Sequence, residues 1–275
     1  MESQPPEAVE RPLSFLAAAF WTLLVAVLLG IGIAVIDSAH PGAFVDVVTV
    51  ATCKLLAYSL VLFGILRVHE PQSSIRHLLA LRRPPALLVL LGTAVGAGLS
   101  PAAMWLDGVF AKRYPPSSAE LEAYERIFDA PTVGKKVALL LALVVVMPVC
   151  DELFFRGALF TPLKRGRRAE PVILATAAYD TLLGGASPRE IASMLTAALV
   201  IAWIRAVSGS VFPSVAARVA FFGMQVVPIV VLAREPQFSG SVALGGVTLA
   251  ALSLAAIAAI GKRSALALDA RLEDG

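Results

Sequence analysis

The sequence predicts an all-α fold, a polytopic membrane helix bundle of about eight transmembrane helices. Of the 275 residues, 58% are hydrophobic and only 16% are charged, and the mean hydropathy is +0.80. A soluble domain of this composition would have too little polar surface to face water, which places the chain among integral membrane proteins. Helices are the expected element because a helix satisfies its own backbone hydrogen bonds in lipid, whereas an open strand edge does not.

Seven apolar runs are long enough, at roughly 20 residues each, to cross about 30 Å of hydrocarbon. A shorter apolar segment, 171–185, holds Asp180 and is expected to be buried among the other helices. The first run is longer than a signal-peptide core and lacks a cleavage site, so we interpret it as a transmembrane helix. The seven runs are 13–36, 43–66, 86–105, 136–160, 188–207, 210–233 and 240–261.

Basic residues predict the orientation of the bundle. Loops 67–85 and 161–170 each carry four Lys or Arg residues, the turn 37–42 carries none, and the last helix ends at Lys262 and Arg263. Cytoplasmic loops are enriched in Lys and Arg. We therefore expect both termini and both Arg-rich loops in the cytoplasm.

The segment 106–135 then lies on the outer side, where the spacing of Leu121, Tyr124 and Ile127 predicts a short amphipathic helix. The chain is divided into a cytoplasmic tail, two N-terminal helices, a membrane core, and a last helix with its tail. Their predicted bounds are 1–12, 13–66, 67–235 and 236–275.

Asp151, Glu152 and Arg156 follow the wholly apolar stretch 137–147. A charge at membrane depth costs about 3 kcal/mol on insertion scales, so such residues usually have a function. Glu152 and Arg156 are four residues apart, which puts them on one helical face in the favoured acid-then-base order. The alternative to a functional role is a purely structural one, in which Glu152 and Arg156 form a buried ion pair that fixes the helix register.

Residues 151–157, Asp-Glu-Leu-Phe-Phe-Arg-Gly, resemble the first signature, Glu-Glu-x-x-x-Arg, of the CPBP family (CAAX-processing and bacteriocin-processing proteins, also called Abi). The basic stretch 75–84 and the segment 208–214 are similar to two further family elements, and the resemblance runs from about residue 70 to 235. The family comprises multi-helix membrane proteins, many of them glutamate-dependent intramembrane proteases. The resemblance implies that Asp151, Glu152 and Arg156 are remnants of a catalytic motif in a protein of a prokaryotic inner (plasma) membrane.

The other catalytic signatures of the family are incomplete in this chain. The histidine of Phe-x-x-x-His falls at Leu183 or Gly184, and Arg218 and Phe222 stand where the family has His-x-x-x-Asn. The resemblance implies a carboxylate base backed by histidine, with the His/Asn pair holding the oxyanion. Asp151 stands in place of the glutamate that would be this base.

Arg218 in an apolar helix requires a buried anion. We expect it to pair with Asp151 or Asp180 and to fill the former active site with a structural ion cluster; the alternative is that it reaches an interface. Tyr179, Asp180 and Arg218 are the candidate binding residues. Lys54 is expected to pair with a carboxylate or to reach water.

Three glycines and several aromatic residues are interpreted as packing residues. Gly92, Gly96 and Gly98 form a small-residue face suited to close helix packing. Tyr58 is interpreted, with the tryptophans, as a packing or interface aromatic.

These observations favour a pseudoprotease that binds membrane-embedded or lipidated peptide segments. One alternative is an active endopeptidase, in which Asp151 or Glu152 activates water and Tyr179, Thr181 or Arg218 replaces the missing groups. Another is a transporter or channel subunit. No metal, other cofactor or nucleic acid is expected, and the expected partners are the lipid bilayer and a membrane-protein or lipidated-peptide ligand.

Overall fold

The computed structural model describes residues 13–43, 46–185 and 187–273, with side chains described as far as Gly261. The expected tail 1–12 and the side chains of Lys262 and Arg263 lie outside the described residues. All regular structure within the described ranges is helical. Its ten helices are α1 Phe15–Ala39, α2 Val47–His69, α3 Ile75–Leu78, α4 Ala86–Ala111, α5 Ser118–Phe128, α6 Val133–Lys164, α7 Ala169–Leu183, α8 Ile191–Ser208, α9 Phe212–Leu232 and α10 Gly240–Glu273.

Seven of these helices are long and apolar enough to cross a membrane, namely α1, α2, α4, α6, α8, α9 and the Gly240–Gly261 part of α10. They coincide with the seven apolar runs of the sequence. The shorter predicted segment is α7, whose 15 residues extend about 22 Å at 1.5 Å per residue. The predicted polytopic helix bundle is confirmed.

One end of the bundle collects two loops that carry three arginines each, 70–85 and 165–168. Ser210, after α8, donates its hydroxyl to the carbonyl of Arg82 at 2.7 Å. Arg165, after α6, forms a 2.7 Å ion pair with the buried Glu70 that follows α2. We call this the Arg-rich end, formed by loops 70–85, 165–168 and 209–211.

The opposite end joins the loops on the other side. The Ser193 hydroxyl, in the first turn of α8, donates to Asp107 near the end of α4 at 2.6 Å. Arg189 lies 3.7 Å from Glu120 of α5. Because α7 leads from the Arg-rich end to this one, the short helix also passes through the bundle, which the described part of the chain crosses eight times.

Helix α6 contains two π-helical segments, Leu141–Val146 and Leu153–Leu159. The first segment ends two residues before Pro148, and the second ends three residues before Pro162. A proline has no N–H to donate and clashes with the carbonyl four residues earlier, and a π turn accommodates this disruption. The second π segment carries Arg156 into the middle of the bundle.

The glycine face predicted on α4 packs directly against neighbouring backbones. A Cβ added to Gly96 would lie 1.9 Å from the carbonyl oxygen of Ala217 on α9, far inside van der Waals contact. Comparable approaches, at 2.3 and 2.5 Å, join Gly92 to Pro213 on α9 and Gly98 to Gly246 on α10. Close packing therefore explains all three glycines.

Helix α5 is the short amphipathic helix predicted in segment 106–135. Tyr124, Ile127 and Phe128 are the partly buried large residues on it, whereas Leu121, predicted on the same face, is 50% exposed. Three-residue steps turn a helix by only about 300° each, so Leu121 lies off the face that Tyr124 and Ile127 turn towards the bundle.

Candidate functional site: a buried ion cluster beneath an apolar cavity

Six buried or nearly buried charged side chains from four helices meet in the middle of the bundle. Three are carboxylates and three are cations, so their formal charges sum to zero. We call this group the buried ion cluster, and its members are Lys54 of α2, Asp151, Glu152 and Arg156 of α6, Asp180 of α7 and Arg218 of α9.

Arg218 contacts all three carboxylates. Its two terminal nitrogens donate to the two oxygens of Asp180 at 2.5 and 2.8 Å, which is a bidentate pair. The same nitrogens lie 3.1 Å from Glu152 Oε1 and 3.4 Å from Asp151 Oδ2. The ion pair expected for Arg218 is therefore present with both candidate aspartates, and at 11% side-chain exposure this residue does not reach an interface.

Arg156 is fully buried and shares Asp180 with Arg218. One terminal nitrogen donates to Asp180 and lies 3.6 Å from Glu152, its neighbour one turn earlier. The other donates to the carbonyl of Ala198 on α8 at 2.7 Å. Asp180 thus bridges two arginines and ties α6, α7 and α9 together.

Asp151 receives two further donors from α2. Lys54 Nζ and the Tyr58 hydroxyl both contact its Oδ1, at 2.7 and 2.8 Å. The pairing expected for Lys54 is present, but the interpretation of Tyr58 as a packing aromatic was incomplete. Its ring does pack on Phe154, with centroids 4.9 Å apart, while its hydroxyl belongs to the site.

Tyr179 and Thr181 are not hydrogen-bonded to the cluster. The Tyr179 hydroxyl donates to the carbonyl of Phe15 on α1 at 2.9 Å, so this side chain faces the other side of α7. Thr181 lies beside the cluster, but its hydroxyl donates to the carbonyl of Ala177 at 2.9 Å, within its own helix. Of the three candidate binding residues, Asp180 and Arg218 come together.

Some polar atoms of the cluster lack a partner among the described residues. They are Oε2 of Glu152 and the Nε atoms of Arg156 and Arg218, all of them buried. A buried polar atom without a partner costs about 1–3 kcal/mol. Such groups in a native fold are uncommon and mark a site that is not optimised for stability alone.

A cavity of about 390 Å³ lies above the cluster and extends to the end of the bundle opposite the Arg-rich end. Lys54, Asp151, Asp180 and Arg218 form its polar floor. Its volume is within the range of small-molecule sites, which are mostly apolar with a few polar groups. The walls are apolar and include Leu143, Met147, Met194, Ile201, Phe221 and Phe222.

The mouth of the cavity lies under α5. Ile127 and Phe128 of this helix line it, together with Glu190 and the exposed Gly184–Gly185 turn. The amphipathic pattern predicts the helix but not its contact with the cavity, because amphipathicity alone does not distinguish a face on lipid headgroups from a face on a cavity.

The histidines of the chain lie away from this cavity. His40 caps the C-terminus of α1, His69 ends α2 and accepts a 3.1 Å hydrogen bond from the Trp21 indole, and His77 lies in α3. The described residues include no group of three His, Cys, Asp or Glu side chains arranged to hold a metal ion.

Residues 133–224 match the family model described as type II CAAX prenyl endopeptidase Rce1-like. This stretch runs from α6 into α9 and holds five of the six members of the buried ion cluster, all except Lys54. No curated protein and no solved structure matches the chain. Taken with the charged signature on α6 and the helical bundle around it, the match shows that this third of a membrane-spanning helical chain is similar to the Rce1-like CAAX proteases of the CPBP family.

Proposed function

We propose that this protein is a pseudoprotease that binds a membrane-embedded or lipidated peptide segment in the cavity above the buried ion cluster. The observation that carries the proposal is the position of Arg218. A guanidinium occupies the place where the family signature has a histidine, and it contacts every carboxylate that could act as a base.

The state of Asp151 supports a loss of catalysis. A general base must offer an oxygen to water and then take its proton. Asp151 is the α6 carboxylate that lines the cavity, and it already accepts from Lys54, Tyr58 and Arg218. Water activation would require at least one of these contacts to break.

The missing oxyanion donors support the same conclusion. Hydrolysis of a peptide bond needs preorganised donors at the developing negative charge, and losing one such donor typically costs about 100- to 1,000-fold in rate. Phe222 lines the cavity at the position of the family's asparagine and has no donor to offer.

The walls of the cavity support binding without chemistry. Side chains from α6, α8 and α9 offer a lipid or an apolar peptide segment a continuous hydrocarbon and aromatic surface. The polar floor supplies both a cation and carboxylates, which suits the backbone or the charged terminus of a peptide. Binding of this kind depends on the shape of the cavity and not on an activated water.

A second function, residual endopeptidase activity, is favoured by one observation. Oε2 of Glu152 is buried without a hydrogen-bond partner in the described part of the chain. An unpaired carboxylate oxygen is what a base needs, although Glu152 lies beneath the cavity floor and not in its lining.

The test uses the full-length protein in lipid nanodiscs with two fluorescent probes, a farnesylated CAAX-type peptide and a single transmembrane peptide. Anisotropy reports binding and mass spectrometry reports cleavage. Met194→Trp fills the cavity, whereas Met224→Trp, on a 38%-exposed residue of α9, is the matched control. Glu152→Gln tests the base.

We expect binding of at least one probe without cleavage, a loss of at least tenfold in affinity for Met194→Trp, and wild-type affinity for Met224→Trp. Cleavage that disappears in Glu152→Gln would establish the endopeptidase instead. Absence of both binding and cleavage would reject both functions.

A further inference from the structure

A fourth buried cation, Arg205, lies outside the buried ion cluster. It belongs to the last turn of α8, at the Arg-rich end, and is 7% exposed. Its Nε donates to the carbonyl of Arg156 at 2.9 Å and one terminal nitrogen donates to the Thr161 hydroxyl at 3.3 Å. Its guanidinium also lies over the Phe160 ring, 5.1 Å from the centroid.

None of these partners is an anion, and no described carboxylate lies within 4 Å of Arg205. Glu152 acts on it only at longer range and is already shared by Arg156 and Arg218. Because the cluster is neutral by itself, Arg205 adds an uncompensated positive charge. A buried charge of this kind is costly unless an anion pairs with it.

Arg82 adds a second positive charge beside Arg205. It follows α3 in the loop that Ser210 holds through the Arg82 carbonyl. The neighbouring Gly209 donates its N–H to the Arg205 carbonyl at 3.2 Å, so the two arginines flank the same turn. The Arg82 side chain is exposed. Of the five N–H hydrogens of a guanidinium, those of Arg205 make only two hydrogen bonds within the described chain.

An apolar groove of about 650 Å³ begins one residue further along the chain, at Arg83. It runs between α4 and α9, away from the cavity, and its lining includes Pro84, Val89, Phe212, Val215 and Val219. A groove with a cation at its membrane-interface end and hydrocarbon along its length complements an anionic phospholipid in both charge and polarity.

We infer that Arg205 and Arg82 form a binding site for a phosphate ester, and that the groove beginning at Arg83 holds the acyl chain of the phospholipid that carries it. Guanidinium groups match phosphate oxygens with paired N–H donors. The phosphate supplies the anion that Arg205 lacks within the chain. The site faces the Arg-rich end and is separate from the cavity, so it is independent of the proposed function.

The test compares dioleoylphosphatidylglycerol with dioleoylphosphatidylcholine, which share their acyl chains, and adds inorganic phosphate as a soluble probe. The full-length protein in a nonionic detergent is followed by its thermal midpoint and by native mass spectrometry of retained lipid. Arg205→Gln and Arg82→Gln remove the two donors. Arg113→Gln, exposed at the opposite end, is the matched control.

We expect phosphatidylglycerol to raise the midpoint more than phosphatidylcholine in the wild type and in Arg113→Gln, and at least two thirds of that difference to be lost in Arg205→Gln and Arg82→Gln. Should Arg205→Gln not fold, the exposed Arg82 carries the comparison. A midpoint that responds to inorganic phosphate in an Arg82-dependent way would support the anion site with a soluble source. Equal responses to the two lipids, or a full phosphatidylglycerol response in Arg82→Gln, would overturn the proposal.

Discussion

At the residue scale, Arg218 is the one cation of the buried ion cluster that contacts all three of its carboxylates. Its guanidinium is the shared partner of Asp151, Glu152 and Asp180, which otherwise would place three negative charges within a few ångströms of one another. Like charges buried together repel strongly because the low dielectric does not screen them. A neutral residue at this position would leave the carboxylates without their main counter-charge.

Arg218→Gln is therefore expected to lower the free energy of unfolding by about 3–5 kcal/mol, the usual cost of leaving a buried charge unpaired. Chemical denaturation in detergent micelles measures this change in the free energy of unfolding. Arg126→Gln is the control, because its ion pair with Glu122 is exposed and spans 3.7 Å, so the loss should stay below about 1 kcal/mol. Equal losses in both variants would contradict the central role of Arg218, and Asp180→Asn combined with Arg218→Gln should recover part of the loss.

Part of this site could be predicted from the sequence. Asp151, Glu152 and Arg156 are adjacent on one helix, and their charges contrast with the apolar residues around them. The contact of Tyr58 with Asp151 spans 93 positions and depends on how α2 packs against α6. The four-residue spacing from Lys54 to Tyr58 was the available signal, since it puts both polar groups on one face.

At the element scale, the glycines of α4 allow its backbone to pack directly against the backbone of α9. The approach of Gly96 to Ala217 is the shortest that any described glycine makes. Hydrocarbon thickness dictates how long a span must be, which is why the seven long helices could be predicted from hydropathy alone. Which helices touch cannot be read from hydropathy, because every span is similarly apolar. The glycines of α4 were informative because only small residues allow two backbones to approach this closely.

We expect Gly96→Ala to destabilise the protein by about 1–3 kcal/mol or more, as overpacking in a filled core does. Its Cβ would collide with the Ala217 carbonyl, and no flexible side chain can move aside. Gly108→Ala is the matched control on the same helix, because nothing lies within 4 Å of the added Cβ; it should leave stability unchanged or raise it by up to about 1 kcal/mol. Thermal unfolding compares the stability of the two variants. A Gly96→Ala protein as stable as Gly108→Ala would contradict the close packing of α4 against α9.

The N-terminus of α5 should depend on pH. The backbone N–H and the hydroxyl of Ser117 both donate to Glu120, which holds the pKa of that carboxyl below its usual range. A lowered pKa means that the ionised form stabilises the helix cap; this stabilisation is present above the ordinary glutamate pKa and is lost as the pH falls through the lowered one.

Hydrogen exchange of residues 118–128, corrected for intrinsic rates, is therefore expected to speed up at strongly acidic pH relative to neutral pH. In Glu120→Gln the exchange should be faster already at neutral pH and should change less on acidification. Glu125→Gln, on an exposed residue of the same helix, is the control. An acid response unchanged by Glu120→Gln would exclude this cap as its cause.

At the scale of the whole molecule, the eight crossings put the start of the first helix and the Gly261 region of the last helix at the Arg-rich end. Leu13 accepts a 2.9 Å hydrogen bond from Arg167 at the start of α1, and a Cβ on Gly261 of α10 would lie 2.6 Å from Val207, near the end of α8. With the enrichment of Lys and Arg in cytoplasmic loops, this arrangement predicts a cytoplasmic Arg-rich end.

Single cysteines test this orientation in a background where the buried Cys53 and Cys150 are replaced by alanine. A membrane-impermeant maleimide is expected to label Ala119→Cys in intact bacterial cells, and Gln72→Cys only after permeabilisation, since these exposed positions lie at opposite ends. Labelling of both after denaturation controls for expression. The reverse pattern would place the Arg-rich end outside.

The glycine contacts of α4 also determine how the cavity can change its shape. Helix α9 carries Arg218, Phe221 and Phe222 on its cavity side, and on its other side its backbone rests on α4 at Gly92 and Gly96. Helix α9 therefore has no free space behind it that would let it move away from the cavity. Helix α5, by contrast, has no buried residue and covers the mouth with two partly exposed side chains. The cavity is therefore bounded by a tightly packed helix, α9, and by a loosely packed one, α5. A ligand larger than the cavity would be accommodated by displacement of α5, while the ion pairs of α9 keep their geometry.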